Sequence, residues 1–169
     1  MKDNMKNLKK YLENLDACTN SIKWAGARRT SKAAWLACSR ADWLLWLAAR
    51  IGIDKNLIIL AACDCATSVL HFVPENEERP RKAIETTRAF VAGKTTIEEL
   101  RAAHAAADAA ADAAYYAADA AAHATVAYGA AYYAAKVRVQ KQKELVFLVR
   151  KRIPWELWKQ ALQNEGHLK

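Results

Sequence analysis

At 169 residues the chain is long enough to bury a real core yet short of the usual size for two, so one helical domain over 1–169 is expected. Five glycines and three prolines in a chain that is 53% apolar argue against disorder and an all-β fold and point to an all-α protein. The net charge of +8 is split, with +6 over residues 1–56, −4 over 57–135 and +6 over 136–169, which suits an acidic protein partner, nucleic acid, or ends that fold against the middle.

The first residues, MKDNMKNLKKYLENL, have lysines but no apolar run and no small-residue cleavage site behind them, so no signal peptide is expected. No stretch is apolar and long enough for a membrane span, and a cytoplasmic protein is expected. Met5, Leu8, Tyr11 or Leu12, and Leu15 recur at helical spacing and predict an amphipathic helix over 2–16. After Gly26 and a polar cluster, Ser31 is placed to cap a helix running through AAWLACSRADWLLWLAAR to a stop at Gly52. Trp35, Trp43 and Trp46 sit among leucines at core spacing and are expected to be buried. Asp54 caps the next helix, NLIILAACDCATSVLHF, which is apolar nearly all round and is expected to be the most buried. Cys18, Cys38, Cys63 and Cys65 form no CxxC pair and read as reduced core thiols.

Pro80 starts, and Gly93 closes, a helix over RKAIETTRAFVA. Thr95 and Thr96 each have a glutamate three residues on, Glu98 and Glu99, the pattern of a capping box. From Ala102 to Ala135, 21 of 34 residues are alanine. One helix over 96–138 would be about 60 Å long, beyond the span of a compact domain of this size. We therefore expect a compact multi-helix bundle with a closely packed alanine-rich hairpin at its centre, folded back near Tyr115 to Asp119. The tail continues helically to Pro154, which starts a last short helix, PWELWKQAL.

His104, Asp108, Asp112, Tyr116, Asp119 and His123 recur every three or four residues and on one helix would share a stripe. Histidine and aspartate at that spacing can share a metal or exchange protons; the plainer reading, which we prefer, is the wet face of an alanine helix with modest ion pairs. No cofactor and no catalytic residue is expected, since no phosphate-binding loop, nucleophile elbow or zinc motif occurs. Tyr115, Tyr128, Tyr132 and Tyr133 read either as a recognition surface or as fillers where alanine leaves space. Candidates for binding a partner are Arg28, Arg29, Arg150, Lys151 and Arg152 in the basic ends, with Trp155 and Trp158 expected to be partly exposed beside them.

Glu78, Arg79, Pro80, Arg81, Lys82, Ala83, Ile84 and Glu85, then Arg88 and Gly93, are followed by an alanine tract holding His123, Ala124, Thr125, Val126, Ala127 and Tyr132. This order, with Ile153-Pro154 and Glu156-Leu157 later, resembles the bacterial "putative immunity protein" family over about residues 60–162. The resemblance implies an all-helical, non-enzymatic inhibitor that covers a toxin, with 54–162 as the family-like core and 1–53 as additional basic helices. It adds Arg79, Arg81 and Lys82 to the binding candidates; the same residues have a structural reading, with Glu85 pairing to Arg81 or Lys82 within the helix. Relatives in phage genomes keep open an inhibitor of a host nucleic-acid-targeting defence, of anti-CRISPR type, and the charge keeps open a basic nucleic-acid binder.

Overall fold

A computed structural model describes residues 8–28, 30–68, 70–72, 75–106 and 128–166, with side chains over these spans except at 72 and 128–139. The protein is an all-α, multi-helix bundle, and among the described residues there is no strand. It divides into two compact units, Met1–Ala61 with Gln142–Lys169, and Ala62–Lys141.

In the first unit, α1 (Leu8–Asn14) buries Leu8, Tyr11 and Leu12. Asp16 ends it in the left-handed region, φ 55°, where the Ala17 N–H donates to the Leu12 carbonyl at 3.0 Å. The helix α2 (Thr19–Gly26) packs tightly enough that a Cβ at Gly26 would stand 3.4 Å from Cδ of Lys9. The long helix expected after residue 31 is two helices, α3 (Ser31–Ala37) and α4 (Ala41–Arg50). The cap of α3 is Thr30, not Ser31: the Ala33 N–H donates to Thr30 Oγ1 at 3.0 Å. Between the two helices the backbone is extended at Cys38 and Arg40.

The stop at Gly52 is as expected. Its φ is 72°, and the Ile53 N–H donates to the Ala48 carbonyl at 3.1 Å, closing a Schellman turn that buries Ile51 and Ile53. Asp54 caps α5 (Lys55–Thr67), with Oδ1 accepting from the N–H of Asn56 at 2.7 Å and of Leu57 at 3.2 Å. Expected to be the most buried helix, α5 is not: Ala61 and Cys63 are buried, but Leu57 to Leu60 are only half-buried. The burial lies elsewhere. The last helix α9 (Trp155–Asn164) buries Trp155, Trp158, Ala161 and Leu162, and Val146, Val149 and Ile153 just before it are buried too.

In the second unit, α6 (Arg79–Val91) has Pro80 in its first turn and ends at Gly93, φ 69°, where the Lys94 N–H donates to the Ala89 carbonyl at 2.8 Å. Arg88 ties α6 to α5 by donating to Asp64 at 2.8 Å and to Thr67 at 3.4 Å. The capping box that begins α7 (97–106 within the described residues) forms reciprocally: the Glu99 N–H donates to Thr96 Oγ1 at 3.2 Å and the Thr96 N–H to Glu99 Oε2 at 2.9 Å. The helix α8 (Tyr128–Arg152) runs to the Ile153-Pro154 break, and Lys141 on it donates to the Ser68 carbonyl at 2.6 Å. The expected fold-back near 115–119 lies outside the described residues, as do the side chains of Tyr115, Tyr128, Tyr132 and Tyr133.

Candidate partner-binding surface

Five of the six tryptophans depart from expectation: Trp155 and Trp158, expected to be partly exposed, are buried at 9% and 2% exposure, whereas Trp35, Trp43 and Trp46, expected to be buried, are half-buried; Trp24 is half-buried too. The two pairs Trp24–Trp43 and Trp35–Trp155 meet at centroid separations of 5.9 and 5.8 Å and steep interplanar angles of 63° and 53°, the tilted approach that ring quadrupoles favour. All six indoles line one cavity of about 610 Å³ within the first unit, together with residues of α1 to α4.

Each of the four half-buried indoles carries a guanidinium over its ring. Arg28 lies 4.8 Å from the centroid of Trp24, Arg40 5.1 Å from Trp43, Arg50 5.4 Å from Trp46 and Arg150 5.1 Å from Trp35. Each contact is worth about 0.5–1 kcal/mol at such a partly wet site. Three of the four pairs are local, at spacings of three or four residues on or beside one helix. Sequence reasoning weighed Arg28 and the tryptophans separately and missed Arg40 and Arg50, although the spacing alone carries the signal. The fourth pair is not local and had no sequence signal.

Arg150 also accounts for the break between α3 and α4. Its Nη2 donates to the carbonyls of Trp35 and Leu36 (2.7 Å) in the last turn of α3 and of Cys38 (2.9 Å), its C-cap, which a continuing helix would have bonded itself. Burial lowers the Arg150 pKa, but the guanidinium remains a cation. Phe147, one turn before it, and Leu36, whose carbonyl it binds, are 63% and 55% exposed. On the cavity wall, Arg40 pairs with Asp42 through two hydrogen bonds of 2.8 and 2.6 Å, which hold the Asp42 carboxyl below the usual range. Among the described residues, the buried indole N–H groups of Trp35 and Trp158 in the wall have no hydrogen-bond acceptor.

Of the other binding candidates, Arg81, Lys82 and Lys151 are exposed, Arg152 is half-buried, and Arg29 lies outside the described residues. Arg79 pairs with Glu77, whose carboxyl the guanidinium and the Arg79 N–H pull down to about 2; no ion pair joins Glu85 to Arg81 or Lys82. Of the polar stripe on the alanine tract, only His104 lies among the described residues. It is exposed, and its Nε2 lies 2.8 Å from Thr87 Oγ1. That hydroxyl donates to the Ala83 carbonyl at 2.7 Å, so it accepts from an Nε2–H of the histidine. Asp108, Asp112, Asp119 and His123 lie outside the described residues, and among those described no three potential ligands gather to hold a metal. Cys38 and Cys63 are buried thiols as expected, Cys65 is half-buried, and Cys18, expected in the core, is exposed. Among the described residues no helix is long and apolar enough to cross a membrane.

The fold and the site define an all-α protein with a wall of arginine-stacked tryptophans. The chain belongs to the family described as "Imm-5 like putative immunity protein", which matches residues 52–161, about two thirds of its length. No curated protein and no solved structure matches it. Trp155 and Trp158 fall inside the matched span; Trp24, Trp35, Trp43 and Trp46 precede it.

Proposed function

We propose that the protein is an immunity-type inhibitor that binds a toxin in the cytoplasm and neutralises it by covering its working surface, without catalysis. The family match over 52–161 carries this reading. The uneven charge and the arginine-stacked indoles support it, since they suit a protein partner with an acidic face and apolar anchors. The test is co-expression with the toxin encoded by the neighbouring gene. Growth should be restored, the two proteins should co-purify at a fixed ratio, and the toxin should be released intact on denaturation. A toxin that is cleaved or modified by the protein would show catalysis instead, and failure to bind any neighbouring product would overturn the reading. Random duplex DNA is the control: tight, salt-sensitive binding to it would favour nucleic acid as the target.

A further inference from the structure

Three large apolar side chains stand exposed among the described residues, Leu36, Ile97 and Phe147, and the two most exposed of them flank one guanidinium. The Nη2 of Arg150 donates to the Leu36 carbonyl at 2.7 Å, and Phe147, three residues before Arg150 on α8, lies on the same helical face. The guanidinium also lies over the ring of Trp35, itself half-buried. A lone exposed apolar residue is ordinary, but leucine, phenylalanine and a stacked indole around one arginine form an apolar patch within the first unit.

The charges around this patch are almost all positive. Lys143 and Lys151 stand four residues either side of Phe147, and Lys32 stands four before Leu36; all three are exposed. Glu144 is the one carboxylate at a spacing of three or four from either apolar residue. Arg150 itself is half-buried, and unlike Arg40, Arg79 and Arg88 it pairs with no carboxylate among the described residues; its partners are three carbonyls. Carbonyl oxygens satisfy N–H groups but leave the charge uncompensated, so a carboxylate brought from outside finds a partly desolvated cation to pair with. A second copy docked about a twofold axis would set these cations against themselves. A membrane surface takes a continuous apolar helix face, whereas Phe147 is ringed by charge. Duplex phosphates would pair with the lysines but leave the leucine idle. An acidic protein surface uses both parts, with apolar contacts at the centre and carboxylates at the rim. We propose that the protein partner docks an acidic face on this patch, with Leu36 and Phe147 as apolar anchors and Lys32, Lys143, Arg150 and Lys151 as their cationic frame, a deepening that rests on the immunity reading.

The test is the kinetics of binding to the toxin encoded by the neighbouring gene, immobilised on a biosensor. Leu36→Ala with Phe147→Ala should speed dissociation about tenfold or more, and Phe147→Ala alone is read instead should the pair melt early by circular dichroism. Ile97→Ala, which truncates the third exposed apolar side chain, in the second unit, should leave dissociation unchanged. Lys143→Glu with Lys151→Glu should slow association about tenfold at low salt and much less at high salt. Unchanged dissociation of the folded alanine variant, or association unchanged by the reversals, would overturn the docking surface and leave the immunity reading standing, since the wild type still binds. Wild-type protein that binds no toxin would overturn both. Sedimentation velocity of the protein alone and co-sedimentation with phosphatidylglycerol vesicles cover the other occupants. Self-association or vesicle binding that is lost in the alanine variant would give the patch to a second copy or to a lipid surface and overturn the proposal.

Discussion

Arg150 does at the end of α3 what Gly52 does at the end of α4: it satisfies carbonyls that have run out of helix. The glycine does so by letting the chain turn back on itself, whereas the arginine brings a charged donor from 112 residues away. Replacing it by methionine keeps the apolar stem over Trp35 but leaves three carbonyls of a half-buried turn to water. A loss of about 2–3 kcal/mol is expected, read as a lower urea midpoint with an unchanged slope. Arg150→Lys should recover only part of it, since an ammonium lacks the planar face that stacks on the indole. Cys18 makes a second contrast at this scale. The Ser21 hydroxyl 3.4 Å from its sulfur, with the backbone N–H groups of Ser21 and Asn20, lowers its pKa, while burial raises that of Cys38. At neutral pH the larger thiolate fraction belongs to Cys18, which is also exposed. Iodoacetamide should therefore label Cys18 first, as mapped by peptide mass, and Ser21→Ala should move the pH midpoint of that labelling upward.

Among the elements, what could be read in the sequence is what the chain decides within four or five residues. Asp54, Gly52, Gly93 and the Thr96–Glu99 box act on backbone groups next to them, and each forms as its residue type dictates. The break after Cys38 could not be read in that way, because alanine, tryptophan and leucine on both sides favour helix and the competing bonds come from Arg150. The inverted tryptophans fail for a related reason. Leucine neighbours suggest burial, but how deep an indole sits depends on which helices cover it, and a stacked arginine lets one stay half-exposed without a large apolar penalty. The Gly52 stop provides a clean test of the local rule. A Cβ there would touch nothing within 4 Å, so the cost of Gly52→Ala is that of an L-residue held at φ 72° and nothing else. About 1 kcal/mol is expected from thermal melts, against almost no change for an alanine at an exposed helical site.

At the scale of the whole molecule, net charge governs encounter more than final affinity. Lys23, Lys32, Lys151 and Lys159 are exposed, they lie in the two basic ends, and none lines the tryptophan cavity. Reversing all four to glutamate removes four positive charges and adds four negative ones, taking the net charge from +8 to zero without altering the tryptophan wall. If steering and anchoring are separate functions, the two rate constants should respond separately. Stopped-flow association with an acidic partner at low salt should slow by about 10–100-fold, and the difference should shrink as ionic strength rises and the Debye length falls below about 10 Å. Dissociation should change far less, because it is set by contacts that the reversed lysines do not make. An association rate unchanged by the four reversals would show that the basic ends do not steer the partner, and would confine recognition to the arginine-stacked indoles themselves.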